Sequence, residues 1–138
     1  MKRTIIIASH VTLAKGMAET LRFFSGEITN VQVLTAYVDN QSIDAAVNEI
    51  FDEAASDDEV IVLTDLKAGS VNQKFFKYIQ RPHTQLVTGM NLALAMGVVM
   101  EPSTHYLTAE RMETLVDQAK ADLTYMNAIS LNGDEDDE

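Results

Sequence analysis

At 138 residues the chain is the size of one ordinary domain, and a hydrophobic share of 46% gives it a core and excludes global disorder. The absence of Cys excludes a disulfide framework and thiol chemistry. The formal charge is −11, the last five residues, Asp134 to Glu138, are all acidic, and the rest of the chain still carries more acids than bases, which sets the surface against nucleic acid and anionic membrane as partners.

The apolar run after Lys2 and Arg3 is too short for the h-region of a signal peptide. No window reaches the ~18 apolar residues of a membrane span. The expectation is a soluble, cytoplasmic protein without direct membrane insertion.

In chain order, Ile5 to Ala8 reads as a first strand and delivers Ser9 and His10 at its carboxyl end. The period then changes. Leu13, Met17, Leu21 and Phe24 recur at helical spacing, with Ala14 and Ala18 beside them, and Ser25-Gly26-Glu27 stops that helix. Val31 to Val38 reads as strand two. Asn40-Gln41-Ser42 offers caps to a helix with the stripe Ile43, Val47, Ile50 and Ala54. Val60 to Leu63 is a continuous apolar run, as a strand covered on both faces requires, and it ends in Thr64-Asp65.

Leu66 to Gly69 is a loop, and Ser70-Val71-Asn72-Gln73 fits a capping box with Ser70 at the N-cap. Val71, Phe75, Tyr78 and Ile79 give helix three its apolar side before Arg81-Pro82-His83 breaks it. Gln85 to Thr88 reads as strand four. Asn91 caps a helix through Met100, Pro102 stops it, and Ser103 to Tyr106 is a loop or short edge strand. Thr108 caps a last helix with the face Met112, Leu115, Ala119, Leu123 and Met126, ended by Asn132-Gly133. One domain over residues 1–132, followed by an acidic tail over 133–138 that is a frayed end, is the expected organisation.

Repeated βα units make a parallel sheet with right-handed crossovers and helices on both faces. The flavodoxin-like order 2-1-3-4 is the favoured one for a domain this small. It brings the carboxyl ends of strands one and three together at the switch point, where open α/β sheets bind ligands. His10 and Asp65 would meet there, with Ser70 at the head of the next helix. That set suits phosphoryl transfer through a histidine. A neutral imidazole nitrogen is a nucleophile near neutral pH. A carboxylate on the other ring nitrogen holds the tautomer. The Ser9 and Ser70 hydroxyls and the amides near Gly69 are candidates to receive phosphoryl oxygens.

Blander accounts stand beside this one. His10 serves equally as a helix cap, and Ser70 is fully explained as an N-cap. Asp65 at a strand end also fits an acidic pocket of the response-regulator kind, but Ala8-Ser9-His10 lacks the acidic pair that would hold Mg²⁺. His83 and His105 fall in loops and read as solvated. Three isolated His and no Cys make no metal set, no P-loop motif occurs, and no cofactor is implied.

The pattern Ile6-Ile7-Ala8-Ser9-His10, then Leu13-Ala14 and Gly16, resembles the IIA component of the mannose-family phosphotransferase system. So do the Asp ending strand three, the Gly69-Ser70 pair, and Gly89-Met90-Asn91 after strand four. The resemblance spans nearly the whole chain. It implies a phosphocarrier whose His10 takes a phosphoryl group from HPr and passes it to a IIB component for sugar uptake. It also implies that Asp65 orients the imidazole and Ser70 lies near the phosphate. A flavodoxin-like core with an antiparallel edge strand exchanged in a homodimer goes with it, and the segment after Pro102 is the candidate for that edge.

Two positions depart from the family's usual pattern. Val11 stands where Gly is usual, so a position free to take positive φ carries a Cβ. Leu66 to Val71 lacks the usual further Gly and the Pro after the Ser. Lys67 either adds a cation near the phosphoryl group or is simply solvated. A phosphoryl-transfer subunit of dihydroxyacetone kinase shares the resemblance, and a non-catalytic regulatory domain of the same fold is the reading from a different class.

Overall fold

A computed structural model describes residues 1–129 of the chain. Four strands carry the fold: β1 Arg3–His10, β2 Val31–Ala36, β3 Glu59–Thr64 and β4 Thr84–Val87. They pair in the order 2-1-3-4, and every pair is parallel. The helices are α1 Leu13–Ser25, α2 Asp44–Glu53, α3 Ser70–Phe76, α4 Leu92–Val99 and α5 Ala109–Asp122, with a short 3₁₀ turn at Met126–Ala128.

Alternation along β1 and β3 splits the core in two. Ile5, Ile7, Ile61 and Leu63 face α1, α4 and α5, while Ile6, Ala8, Val60 and Val62 face α2 and α3. The middle of each central strand, Ile5 to Ala8 and Val60 to Leu63, is therefore continuously apolar, as parallel strands covered on both faces must be.

Several local expectations shift. On α1 the buried face is Ala14, Ala18 and Leu21, with Leu13 and Phe24 exposed. Small residues let the helix lie close on the sheet, so its contact face is rotated away from the largest apolar side chains. Helix α3 begins after Gly69, and Ser70 makes no cap bond. Helix α5 stops at Asp122 and leaves Leu123 and Met126 exposed. The cause is a contact from the start of α4: the Asn91 side-chain amide donates to the Ala119 carbonyl at 2.8 Å. The Leu123 amide turns instead to the Lys120 carbonyl at 3.2 Å, closing a tighter turn. The two expected caps Asn91 and Thr108 do accept from Leu94 and Arg111. The expected stop at Asn132-Gly133 and the acidic tail lie outside the described residues.

Segment 103–107 forms no strand, and among the described residues no antiparallel strand joins the sheet. The amino end of the sheet holds that segment by its backbone. Arg3 and Glu59, paired in register across β1 and β3, make a fully buried ion pair. Arg3 also donates to the carbonyls of Glu101, Pro102 and His105, each at 3.0 Å. Glu59 Oε2 accepts the Leu107 amide at 2.7 Å. The guanidinium spends its remaining donors on carbonyls that would otherwise be available to an edge ladder.

At the carboxyl end the chain leaves β1 through Val11, whose φ is 54°. A β-branched residue there costs about 1–2 kcal/mol. The turn keeps this conformation because the Val11 amide donates to the Ala36 carbonyl at 2.7 Å, fastening the exit of β1 to the end of β2. The Cβ at residue 11 therefore does not prevent the positive φ; it makes it strained.

Two stability predictions follow from these ends. Glu59→Leu strands the buried Arg3 charge and should cost about 3–5 kcal/mol in urea unfolding, much of which an added Arg3→Met should restore. Val11→Gly relieves the strained φ at a half-exposed site. Offset in part by the greater entropy of the unfolded chain with Gly, this should raise stability by about 0.5–1 kcal/mol in the same assay.

Candidate phosphoryl-transfer site

The register of β1 and β3 sets the central pair. Ala8 stands opposite Thr64, so the next turn of chain on each strand brings His10 and Asp65 to the same edge. Asp65 Oδ2 accepts twice from one residue, from the His10 amide at 2.8 Å and from His10 Nδ1 at 2.9 Å. Its other oxygen accepts the Leu66 amide at 3.0 Å. Burial pushes the Asp65 carboxyl up. The bonds from the His10 amide and imidazole and from the local backbone outweigh it, and hold the group below the usual carboxylate range. With Asp65 ionised, the Nδ1 atom carries the proton and Nε2 keeps its lone pair. The His10 side chain is 31% exposed against 8% for Asp65, so the acid is covered and the imidazole is open.

Gly69 is required by contact rather than by conformation. Its φ is −79°, but a Cβ at this position would stand 2.7 Å from His10 Cε1 and 3.3 Å from the Leu66 carbonyl. The loop that carries it is tethered by Asn72. That buried side chain accepts from Thr64 Oγ1 at 2.9 Å and donates to the Lys67 carbonyl at 3.2 Å. Asn72 had no distinguishing signal in the sequence beyond its place in the expected capping box.

Ser9 lies in the site's floor and does not reach its surface. It is fully buried, and its Oγ accepts the Ala14 amide at 2.7 Å and donates to the Val11 carbonyl at 3.4 Å. It thus caps α1 from outside, where the N-cap residue Thr12 makes no side-chain bond. The helix start it holds lies beside His10 and brings a positive dipole end to the edge, which favours an anion there. Lys67 is exposed, and only its carbonyl is engaged by a described side chain.

Ser70 is free of the capping role expected of it. Its Oγ lies 2.5 Å from the Tyr37 hydroxyl, and the Tyr37 ring stacks beside His10 with centroids 5.5 Å apart and planes 17° apart. Tyr37 follows β2 by one residue and takes a φ of 65°. Sequence reasoning passed over it because a lone Tyr at a strand end carries no pattern.

The other two histidines are elsewhere. His83 precedes β4 and stacks on Tyr106 at 3.7 Å, and His105 lies in the loop that Arg3 holds. Both belong to the amino edge, about 20 Å from His10 along an eight-residue strand. No group of three or more metal-ligating side chains occurs among the described residues. A hollow of about 280 Å³ between α2 and the sheet, lined by Lys2, Thr4, Glu49 and Glu53, is also remote from His10. The imidazole is presented on an open surface, which suits a reacting group carried by another macromolecule better than a small substrate that needs enclosure.

Comparison with known proteins places this arrangement. A structure from Klebsiella pneumoniae subsp. pneumoniae, assigned to a phosphoenolpyruvate-dependent sugar phosphotransferase system permease, is 31% identical, with 93% of each chain covered and a TM-score of 0.81. The PTS IIA protein associated with the fucose utilization operon of Streptococcus pneumoniae is 28% identical over 92% of this chain and 95% of its own, with a TM-score of 0.74. The mannose/sorbose specific IIA subunit from Enterococcus faecalis is 25% identical over 95% and 97%, also with a TM-score of 0.74. The family model EIIA-man, described as the PTS system fructose IIA component, matches residues 4–116. With His10 and Asp65 both inside that span, the chain belongs to the EIIA-man family of phosphotransferase system IIA components.

Proposed function

We propose that the protein is a cytoplasmic phosphocarrier that accepts a phosphoryl group on His10 Nε2 from HPr and hands it to a IIB component for sugar uptake. The observation that carries this reading is the Nδ1 bond to Asp65 at 2.9 Å, which leaves Nε2 as the open, unprotonated nitrogen. The Nε2 lone pair attacks the donor phosphorus. The donor's N–P bond breaks and its electron pair returns to the donor nitrogen. The Nδ1 proton remains in its bond to Asp65, which stabilises the positive charge that develops on the ring. Transfer onward to IIB is the same step run with this chain as donor.

The helix α1 start and the Ser70 hydroxyl lie at the same edge and favour the phosphoryl anion. Gly69 leaves room for the ring to keep its place. No helix among the described residues is long and apolar enough to cross a membrane, in keeping with a component that meets its partners as a separate body. A homodimer is part of this reading. Supporting it, β4 pairs only with β3 among the described residues, and Leu123, Tyr125 and Met126 are exposed close after α5.

Intact-mass analysis after incubation with phosphoenolpyruvate, enzyme I and HPr tests the site. Wild type should gain one acid-labile phosphoryl group and His10→Ala none; stoichiometric label on the variant would put the site elsewhere. Asp65→Asn should slow labelling by about 10²-fold or more, with the fold intact by circular dichroism.

The pH dependence has a defined sign. Acidification should suppress labelling as Nε2 takes a proton and loses its lone pair. Asp65, held below the usual carboxylate range, contributes stability that is present above the ordinary carboxylate pKa and lost only as pH falls through its lowered value. Near-UV circular dichroism followed on acidification should therefore show this contribution retained until pH falls below the ordinary carboxylate range.

A further inference from the structure

Two residues with side chains flank His10 in the left-handed region, Val11 at φ 54° and Tyr37 at φ 65°. They leave adjacent strands at matching positions, since His10 pairs with Ala36 in the β1–β2 register. Val11 is explained by its turn, since its amide is bonded to the Ala36 carbonyl. Tyr37 is different. Its ring is 61% exposed, so burial does not hold it over the site. What holds it is the stack beside His10 and the 2.5 Å bond between its hydroxyl and Ser70 Oγ. A strained, exposed aromatic bonded at its tip to the residue after Gly69, where any Cβ would collide with the imidazole at Cε1, calls for a reason beyond the fold.

We infer that Tyr37 is a positioning residue of the phosphoryl site: its ring sets the plane of His10, and its hydroxyl forms with Ser70 a paired clamp for the phosphoryl oxygens. The inference rests on His10 being the phosphoryl acceptor. In the unphosphorylated protein the two hydroxyls satisfy each other. One donates and one accepts, so only one proton is in use between them and the other is free to turn outward. A phosphoryl group on Nε2 brings acceptor oxygens to that edge. Each hydroxyl can then donate to the anion, and the stack keeps the imidazole from swinging away from them.

The consequence is a longer-lived phosphohistidine. In hydrolysis, water attacks phosphorus, the N–P bond breaks, the electron pair returns to Nε2, and inorganic phosphate leaves. As that bond loosens, the phosphoryl group becomes metaphosphate-like. Donors fitted to the oxygens of the intact phosphohistidine bind that looser group less well, and so slow its loss.

The experiment uses the full chain phosphorylated with phosphoramidate, which needs no partner protein. The Nε2 lone pair attacks its phosphorus, its P–N bond breaks and ammonia leaves. Decay of phospho-His10 is followed by ³¹P NMR in wild type, Tyr37→Phe, Ser70→Ala and the double variant, with His10→Ala as the blank. Tyr37→Phe keeps the ring and the backbone strain and removes only the hydroxyl. Its phosphohistidine should decay about tenfold faster, as should that of Ser70→Ala. The double variant should decay faster than either single one, because each hydroxyl donates to the anion.

Decay of Tyr37→Phe at the wild-type rate, or a double variant that decays no faster than Ser70→Ala, would overturn the clamp. So would absence of any label on wild type. Should Tyr37→Phe lower the unfolding midpoint, Ser70→Ala, which removes the other hydroxyl from the opposite side, decides the question alone. Labelling by phosphoramidate but not through HPr would count against the proposed donor and leave the clamp standing or falling on the decay rates.

Discussion

The β1–β3 ladder is held at both ends by a carboxylate, and the molecule's organisation follows from the difference between the two. At the amino end Glu59 meets Arg3, both side chains 1% exposed, with the leftover donors taken by backbone carbonyls. At the carboxyl end Asp65 meets His10, and the imidazole is left partly in water. A closed pair of this kind stabilises only as long as every donor and acceptor is met. The open pair keeps one nitrogen unmet, and that nitrogen is where chemistry can occur. One strand pair thus carries a closed anchor at one end and an open imidazole at the other, kept apart by its own length.

The open end is built largely from backbone. The His10 amide and imidazole share one oxygen of Asp65, so the ring cannot turn without lengthening a bond whose other donor is fixed in the strand. The Asn72 tether and the close approach of Gly69 shape the loop beneath it. The residues with positive φ at the ends of β1 and β2 store strain where the sheet can bear it, since both strands are locked by their ladders just before the turn. The family relationship accounts for the fold that brings His10 and Asp65 to one edge. Val11 and Tyr37, both at positive φ, form the rim beside them.

The helices show how periodicity and packing diverge. On α1 the sequence offers two overlapping stripes, one of large residues and one of Ala14 and Ala18. The sheet chose the small one, which left Leu13 and Phe24 outside. On α5 the apolar spacing continues through Leu123 and Met126, but a single side-chain amide from Asn91 ends the helix first. In both cases the deciding contact comes from an element distant in sequence.

The sequence by itself determined the βα alternation and, with 2-1-3-4 as the favoured order for so small a domain, the expected meeting of His10 with Asp65; the structure supplied the order itself. The alternation and that expectation rest on hydrophobic period, strand length and the switch-point rule, all local or topological quantities. Only the tertiary structure decided how the site is finished. Ser70 gave up its expected cap for Tyr37, 33 residues away, and Ser9 turned inward to hold α1. Arg3 found Glu59 across 56 residues and drew the 101–107 segment off the path of an edge strand. A hydroxyl, an amide or a guanidinium bonds whatever the fold brings within about 3 Å, and no spacing along a single chain encodes which neighbour that will be.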